Sequence, residues 1–219
     1  MQYKYRALSI GMLRREPSPP TVPLHRKTMD ITPLIQEIRD FLHTTFAEID
    51  LWFDKAPDLR NYPPQNGGWT INQILEHIAL TNHFLLILIE KGTQKALNNV
   101  NGLDLKSALE NYHFHKDQLT EIGLHQSFAW IRPEHMEPKS EKTLPEVRTQ
   151  LKQQLEHCLN ALNLLKNGEG VLHKTTMTVN NLGKIDVYEY LYFLGQHGQR
   201  HLTQMRRNAE AFNLLNPSV

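Results

Sequence analysis

The feature that most constrains this chain is a helical spacing of apolar residues, repeated in four long stretches. Apolar side chains recur every three or four residues, as Leu34, Ile38 and Phe41 do in the first stretch. The stretches cover approximately residues 30–53, 70–92, 144–167 and 186–212. Each apolar stripe has to be buried against another helix, so the pattern predicts an all-α protein built as a four-helix bundle.

The connections between the predicted helices differ in length. Helix-breaking residues fill positions 56–68, and a long link joins the second and third helices, with a short helical stretch at 104–122 followed by irregular sequence. Positions 173–186 alternate as a strand does and are expected to form an extended loop. An antiparallel bundle is the expected architecture, and the long second connection permits a crossover.

The first 28 residues differ from the rest in charge. They hold six basic residues and one acidic residue, a charge of +5, while the remaining 191 residues hold 18 basic and 22 acidic residues, a charge of −4. Prolines cluster at 16–23 without apolar periodicity, so residues 1–28 are expected to form a poorly ordered basic arm. A gene-model extension before Met29 and an organellar transit peptide are both open interpretations. Residues 29–219 are the predicted bundle domain.

Composition excludes several classes of protein. The single cysteine, Cys158, excludes an intramolecular disulfide framework and a cysteine-rich zinc module. No apolar run reaches the eighteen or so residues that a membrane span needs. The body of the chain offers no second basic face, so nucleic-acid binding is not expected. These observations favour a cytoplasmic protein without a membrane anchor.

The most informative chemical pattern is a histidine pair in the fourth helix. His197 and His201 stand at i and i+4, which places two imidazoles on one face, close enough to bind one metal ion. The intervening residues are GQR, so the glutamate of a zincin motif is not present. Phe193 and Leu194 share this face, which directs both histidines toward the bundle interior.

A third ligand is expected from a neighbouring helix, and His77 is the best candidate. It lies on the apolar stripe of the second helix with Ile74, whereas His83 is expected to point outward. His157 on the third helix lies beside an apolar stripe and is an alternative. His77 as a core histidine bound to a carbonyl group is the other open interpretation.

Two segments around these histidines resemble a known family. Positions 68–79 read GWTINQILEHIA, and positions 185–205 read IDVYEYLYFLGQHGQRHLTQM. Together with HKTTMTVNNLGKID at 173–186, they resemble the DinB/YfiT-like superfamily and its bacterial DinB-like proteins. The resemblance extends over approximately residues 30–212 and leaves the basic arm outside.

The resemblance implies a four-helix bundle with an unusual helix connection and a three-histidine metal site, usually holding zinc or nickel. Carried over by position, the ligands are His77, His197 and His201, which the helical-face argument also selects. The family includes bacterial thiol-transferases that act with bacillithiol, mycothiol or glutathione, besides many members of unknown activity.

Four further residues of the fourth helix are candidates for the surroundings of such a site. Arg200 suits bidentate pairing with a substrate carboxylate, and an interhelical salt bridge is the alternative. Gln204 is a candidate for holding a ligand imidazole. Glu189 and Tyr190 are candidates for lining the cavity, and packing in the core is the alternative for Tyr190. Trp69 is expected to cover the start of the second helix. Cys158 is expected to be an inert buried thiol.

Two functions from different classes follow. The first is a metal-dependent thiol S-transferase or hydrolase, with a small-molecule thiol and an electrophilic substrate as partners. The second is a non-catalytic helical-bundle module that acts in a stress response by binding or interaction. Bundles of this size often pair through an exposed helix face, which leaves a homodimer open.

Overall fold

A computed structural model describes residues 30–65, 67–128 and 133–216. Seven α-helices and one two-stranded sheet occur in these ranges. The helices are α1 (Thr32–Asp50), α2 (Pro57–Asn61), α3 (Ile71–Asn99), α4 (Leu105–Glu110), α5 (Lys116–Gly123), α6 (Leu144–Leu164) and α7 (Val187–Leu215). The strands are β1 (Lys174–Met177) and β2 (Gly183–Asp186). The predicted all-α class is confirmed, while the basic arm at 1–28 lies outside the described residues.

The four long helices, α1, α3, α6 and α7, form the bundle. Around its axis the order is α1, α6, α3, α7, so each long helix packs against two others. The shorter α5 packs on a further side of α7. Because α5 and the neighbouring long helices surround it, α7 is buried on all sides from Val187 to Gly198. The fourth helix is therefore central in its first half, and not amphipathic there as its neighbours are.

Contacts along α1 give the directions of its two neighbours. Phe41, Thr45 and Glu48 contact successively later residues of α7, so α1 and α7 are parallel. Arg148 at the start of α6 pairs with Asp50 at the end of α1, which makes α1 and α6 antiparallel.

The direction of α3 follows in the same way. His77 near its start faces the middle of α7, while Gly92 lies near Val187, the first residue of α7. The two helices are therefore antiparallel, and the bundle runs up, down, down, up in chain order. The long connection through α4 and α5 makes this crossover possible, as the sequence allowed.

Side-chain caps define where the long helices begin. The Thr70 hydroxyl accepts the Gln73 amide N–H, and the Gln73 side chain accepts the Thr70 N–H in return. Asp186 accepts the amide N–H groups of Tyr188 and Glu189 at the start of α7. Each cap satisfies donors that have no partner within the helix, so α3 and α7 begin at defined residues.

Two helix boundaries differ from their predictions. The second helix was expected to stop at Gly92, but α3 continues to Asn99. A Cβ at Gly92 would lie 3.1 Å from Val187 Cγ2, so this glycine allows close packing of α3 against α7 and does not end the helix. The stretch predicted at 104–122 is divided into α4 and α5.

The segment expected to be an extended loop forms a hairpin. β1 and β2 pair antiparallel, with Lys174 opposite Asp186 and Met177 opposite Gly183. The hairpin leads directly into α7, because Asp186 ends β2 and also caps the helix. The start of α7 is therefore held by both strand pairing and capping.

Candidate metal centre

Three histidines from α3 and α7 meet inside the bundle. His77, His197 and His201 each offer a ring nitrogen, and these nitrogens all lie within 4.8 Å of one another. The Nε2 atoms of His197 and His201 are 3.1 Å apart, and the His77 ring centroid lies 4.7 Å from that of His201. No side chain of the three is more than 7% exposed. The structure thus brings together the three residues that the sequence singled out.

Oxygen atoms next to Nδ1 of His77 and of His201 determine the tautomers of these two rings. His77 Nδ1 lies 2.7 Å from the carbonyl oxygen of Met136, and His201 Nδ1 lies 3.0 Å from Gln204 Oε1. Both oxygens can only accept a hydrogen bond, so Nδ1 carries the proton in each ring. The Nε2 atoms of these rings therefore present lone pairs, the arrangement that a metal-ligating histidine adopts.

The electrostatic environment keeps the His197 ring neutral. Burial in the bundle lowers its pKa well below the ordinary value, and the neighbouring His201, His77 and Arg200 act in the same direction. A protonated imidazole cannot bind a metal ion, whereas a neutral one can. Burial, which lowers the pKa of His197, therefore also keeps the ring in the neutral form that a metal ligand needs.

The geometry of the cluster fits a divalent metal ion. Tetrahedral zinc with nitrogen ligands at about 2.0–2.1 Å separates those nitrogens by about 3.3 Å. The 3.1 Å between His197 Nε2 and His201 Nε2 is close to that value, and His77 approaches from the opposite helix. Two rings oriented by their Nδ1 contacts and a third at hydrogen-bond distance form a donor set that fits a divalent metal ion.

Trp69 and Asn208 enclose the cluster on the His77 side. The Trp69 and His77 ring centroids are 4.6 Å apart. Asn208 Nδ2 donates to the Trp69 carbonyl oxygen at 2.8 Å, which ties this residue to α7. Trp69, which was expected to cover the start of the second helix, thus contacts both His77 and Asn208.

The remaining candidates on α7 occupy different surroundings. Arg200 is half-buried, and its Nη1 donates to the Leu124 carbonyl oxygen at 2.6 Å, while its guanidinium lies 5.7 Å from the Phe128 ring centroid. The Tyr190 hydroxyl donates to the carbonyl oxygen of Thr176 in β1. Arg200 therefore borders the α5 side of the bundle, and Tyr190 anchors the hairpin.

The other histidines considered lie on the surface. His83 is exposed on α3, as predicted. His157 is also exposed and pairs with Glu90 at 3.2 Å, so the alternative third ligand is not part of the cluster. Cys158 is fully buried, and burial raises the pKa of its thiol to about 12. Such a thiol is not a nucleophile at neutral pH.

Glu76 and Glu189 are buried carboxylates; Glu189 was considered from the sequence as a residue lining the cavity, and Glu76 was missed. Glu76 accepts amide N–H groups of the irregular segment before α6. Glu189 accepts from His115 Nδ1 at 2.6 Å and from the Asp186 N–H, and its side chain is fully buried. The partners of Glu76 are backbone groups more than sixty residues away in the chain, so no local pattern marks it.

The fold is a helical bundle around a central helix, α7. Histidines from two antiparallel helices, α3 and α7, meet in the interior of this bundle. The sequence profile of the DinB superfamily matches residues 42–205, which include all three histidines. The chain is a member of the DinB superfamily. Searches of curated proteins and of solved structures found no match. A three-histidine cluster in this fold fits a metal-binding DinB-like protein.

No helix in the described part of the chain is long and apolar enough to cross a membrane.

Proposed function

We propose that this protein is a metal-dependent thiol S-transferase that holds Zn²⁺ or Ni²⁺ on His77, His197 and His201. The observation that carries the proposal is the convergence of three buried ring nitrogens within 4.8 Å. Three neutral ligands leave a divalent ion its full charge and an open coordination position. When bound, such an ion lowers the pKa of a thiol or a water molecule at that position into the neutral range.

The side chains of the protein prepare this chemistry. His77 and His201 are fixed by their Nδ1 hydrogen bonds, so they do not reorient when an ion enters. Their burial keeps bulk water from competing for the ion. In the transfer itself, the sulfur of a small thiol forms a bond to the electrophilic carbon of a chloro-aromatic substrate. Chloride leaves with the electron pair of the C–Cl bond, and the thiol proton passes to solvent.

We propose that Arg200 orients the substrate. It lies one residue before His201 and is half-buried, and burial lowers the pKa of its guanidinium while leaving it charged at neutral pH. Glutathione and cysteine carry carboxylate groups, which a guanidinium binds through two parallel hydrogen bonds. We therefore assign Arg200 to the carboxylate of the thiol or of its partner.

A non-catalytic binding module is the second candidate function, and one observation favours it. The histidines are almost fully buried, with Trp69 against His77, so the cluster is more enclosed than a substrate site needs to be. In this alternative the ion is structural. The two functions differ in turnover and agree in metal binding.

The test is a turnover assay on zinc-loaded and nickel-loaded protein. Glutathione, cysteine and other low-molecular-weight thiols are combined with chloro-aromatic or epoxide electrophiles, and ester hydrolysis is followed in parallel. Turnover above the uncatalysed rate that is lost in His77→Ala, and kept in His83→Ala, supports the transferase. Ester turnover alone identifies a hydrolase. Metal binding without any turnover supports the binding module and overturns the transferase.

A further inference from the structure

The irregular segment before α6 is held against α3 by one buried carboxylate. Glu76 is 7% exposed, and its two oxygens accept the amide N–H groups of Lys139 and Ser140 at 3.2 and 2.9 Å. Hydrogen bonds to an ionised acceptor are about twice as strong as neutral ones. These two bonds hold the segment to α3, together with the His135 ring, whose centroid lies 4.6 Å from that of Phe84 on α3.

The same segment supplies a hydrogen-bond partner of His77, whose Nε2 also lies 3.5 Å from the Thr81 hydroxyl. Met136 ends a short 3₁₀ turn (Glu134–Met136), and its carbonyl oxygen accepts from His77 Nδ1 at 2.7 Å. The Thr81 hydroxyl lies 3.9 Å from the Met136 sulfur, a further contact between this turn and α3. Lys139 follows Met136 by only three residues, so a shift of the segment at Glu76 also moves the carbonyl group.

Glu76 and His77 are adjacent in α3, yet they contact the segment at different points. Glu76 accepts hydrogen bonds from backbone N–H groups of the segment, and His77 donates one to a backbone carbonyl oxygen of the segment. Without the carbonyl group in place, a neutral imidazole distributes its proton between Nδ1 and Nε2 and rotates more freely. A ring protonated at Nε2 does not offer that nitrogen to a metal ion.

We propose that Glu76 is a positioning residue for the three-histidine site: by holding the segment at Lys139 and Ser140, it keeps the Met136 carbonyl on His77 Nδ1 and directs Nε2 into the cluster. The inference rests on the proposed metal binding for its functional meaning. Its structural content, the tautomer of His77, can be measured without metal. Glu76 itself touches neither the cluster nor a substrate.

The experiment compares Glu76→Ala and Glu76→Gln with wild type and with Glu169→Ala and Glu169→Gln. Glu169 is a matched control, because it is also 7% exposed and accepts a backbone N–H, that of Asn167. Zinc affinity is measured by competition with a chromophoric chelator. The His77 tautomer is read from imidazole ¹⁵N shifts of the metal-free full-length protein, assigned by comparison with His77→Gln.

Glu76→Ala is expected to weaken zinc binding about 10- to 100-fold and to convert His77 from the Nδ1-protonated form to a mixture. Glu76→Gln retains an acceptor oxygen and a similar shape, so it should restore most of the Nδ1-protonated population. The Glu169 variants should stay within about twofold of wild type. If Glu76→Ala does not fold, Glu76→Asp takes its place: its carboxylate is one methylene shorter and reaches the N–H groups of Lys139 and Ser140 less well, so it should also shift His77 toward the mixed form.

A folded Glu76→Ala protein, or Glu76→Asp in its place, with wild-type zinc affinity and an unchanged His77 tautomer overturns the inference. A wild-type protein that binds no zinc overturns the proposed function instead. In that case the tautomer comparison still tests whether Glu76 orients His77.

Discussion

His197 Nε2 and His201 Nε2 face each other at 3.1 Å across one turn of α7. Because His201 Nδ1 donates its proton to the Gln204 side-chain oxygen, His201 Nε2 has a lone pair, and this lone pair points at His197. A shared divalent ion would satisfy both nitrogens, together with His77 from the antiparallel helix. The spacing of this pair is therefore the basis for the expected stoichiometry of one ion per chain.

The first prediction concerns this stoichiometry. Wild-type protein is expected to bind about one equivalent of Zn²⁺ or Ni²⁺, and His201→Ala to lose at least about 100-fold in affinity, because two remaining imidazoles hold the ion far less tightly. Elemental analysis and chelator competition measure both quantities. His157→Ala removes an exposed histidine and should bind as wild type does. Equal metal content in His201→Ala and wild type would contradict the site.

The second prediction concerns pH and the junction of α1 and α6. Arg148 donates two hydrogen bonds to the Asp50 carboxylate, and this pairing lowers the Asp50 pKa. A lowered folded-state pKa gives stability that is present above the usual aspartate pKa and is lost as the pH falls through the folded value. Asp50→Asn should therefore reduce the free energy of unfolding by about 0.5–1 kcal/mol at pH 7.

Urea unfolding at several pH values checks this second prediction. The difference between wild type and Asp50→Asn should shrink below about pH 4, since the wild-type carboxyl group then becomes protonated. Asp40→Asn is the control, because Asp40 lies on the same helix and accepts from the neutral amide of Gln36. A difference that stays constant down to about pH 2 would exclude the ionic origin.

The third prediction concerns Cys158. Its thiol is fully buried on α6, and burial raises its pKa to about 12. Native protein should therefore react with a disulfide reagent at least about 100-fold more slowly than unfolded protein, as followed by absorbance of the released thiolate. Cys158→Ala should retain any thiol-transfer turnover. Loss of turnover with intact zinc binding would instead make the protein's own thiol the nucleophile.

The fourth prediction concerns the packing that holds the start of α7. A Cβ at Gly170 would lie 2.7 Å from Cε2 of Tyr188, whose ring is fully buried and whose hydroxyl donates to the Leu165 carbonyl oxygen. The ring has no room to move, so Gly170→Ala should lower the free energy of unfolding by about 1–3 kcal/mol.

Chemical denaturation measures the effect at Gly170, with Gly102→Ala as the control. A Cβ at Gly102 meets no heavy atom within 4 Å, so its effect should stay within about 0.5 kcal/mol. Equal stability of the two variants would show that Tyr188 adapts to the added methyl group.

The histidine cluster was predictable because its three members lie in regular helices. Helical periodicity tells which face a residue occupies, so the sequence alone places His197 and His201 together and directs them inward. His77 is placed by the apolar stripe that it shares with Ile74. Their joint position then follows from the need of each stripe to be buried.

The segment that orients His77 could not be predicted, and the reason is physical. The hydrogen bonds that tie it to Glu76 and His77 involve the N–H groups of Lys139 and Ser140 and the carbonyl group of Met136. Nearly every residue has these backbone groups, so side-chain identity carries no signal for such contacts. The end of the second helix was wrongly predicted at Gly92 for a related reason. A glycine that ends a helix and a glycine that permits close packing look alike in sequence.

The ligand residues of this site are separated by more than half of the chain, from His77 on α3 to His201 on α7. During synthesis, a chain that ends before α7 has one of the three imidazoles and lacks the helix around which the others pack. An ion held by all three is therefore held only after the last helix has docked. If the three histidines hold an ion, its retention would therefore require that the last helix has been made and packed.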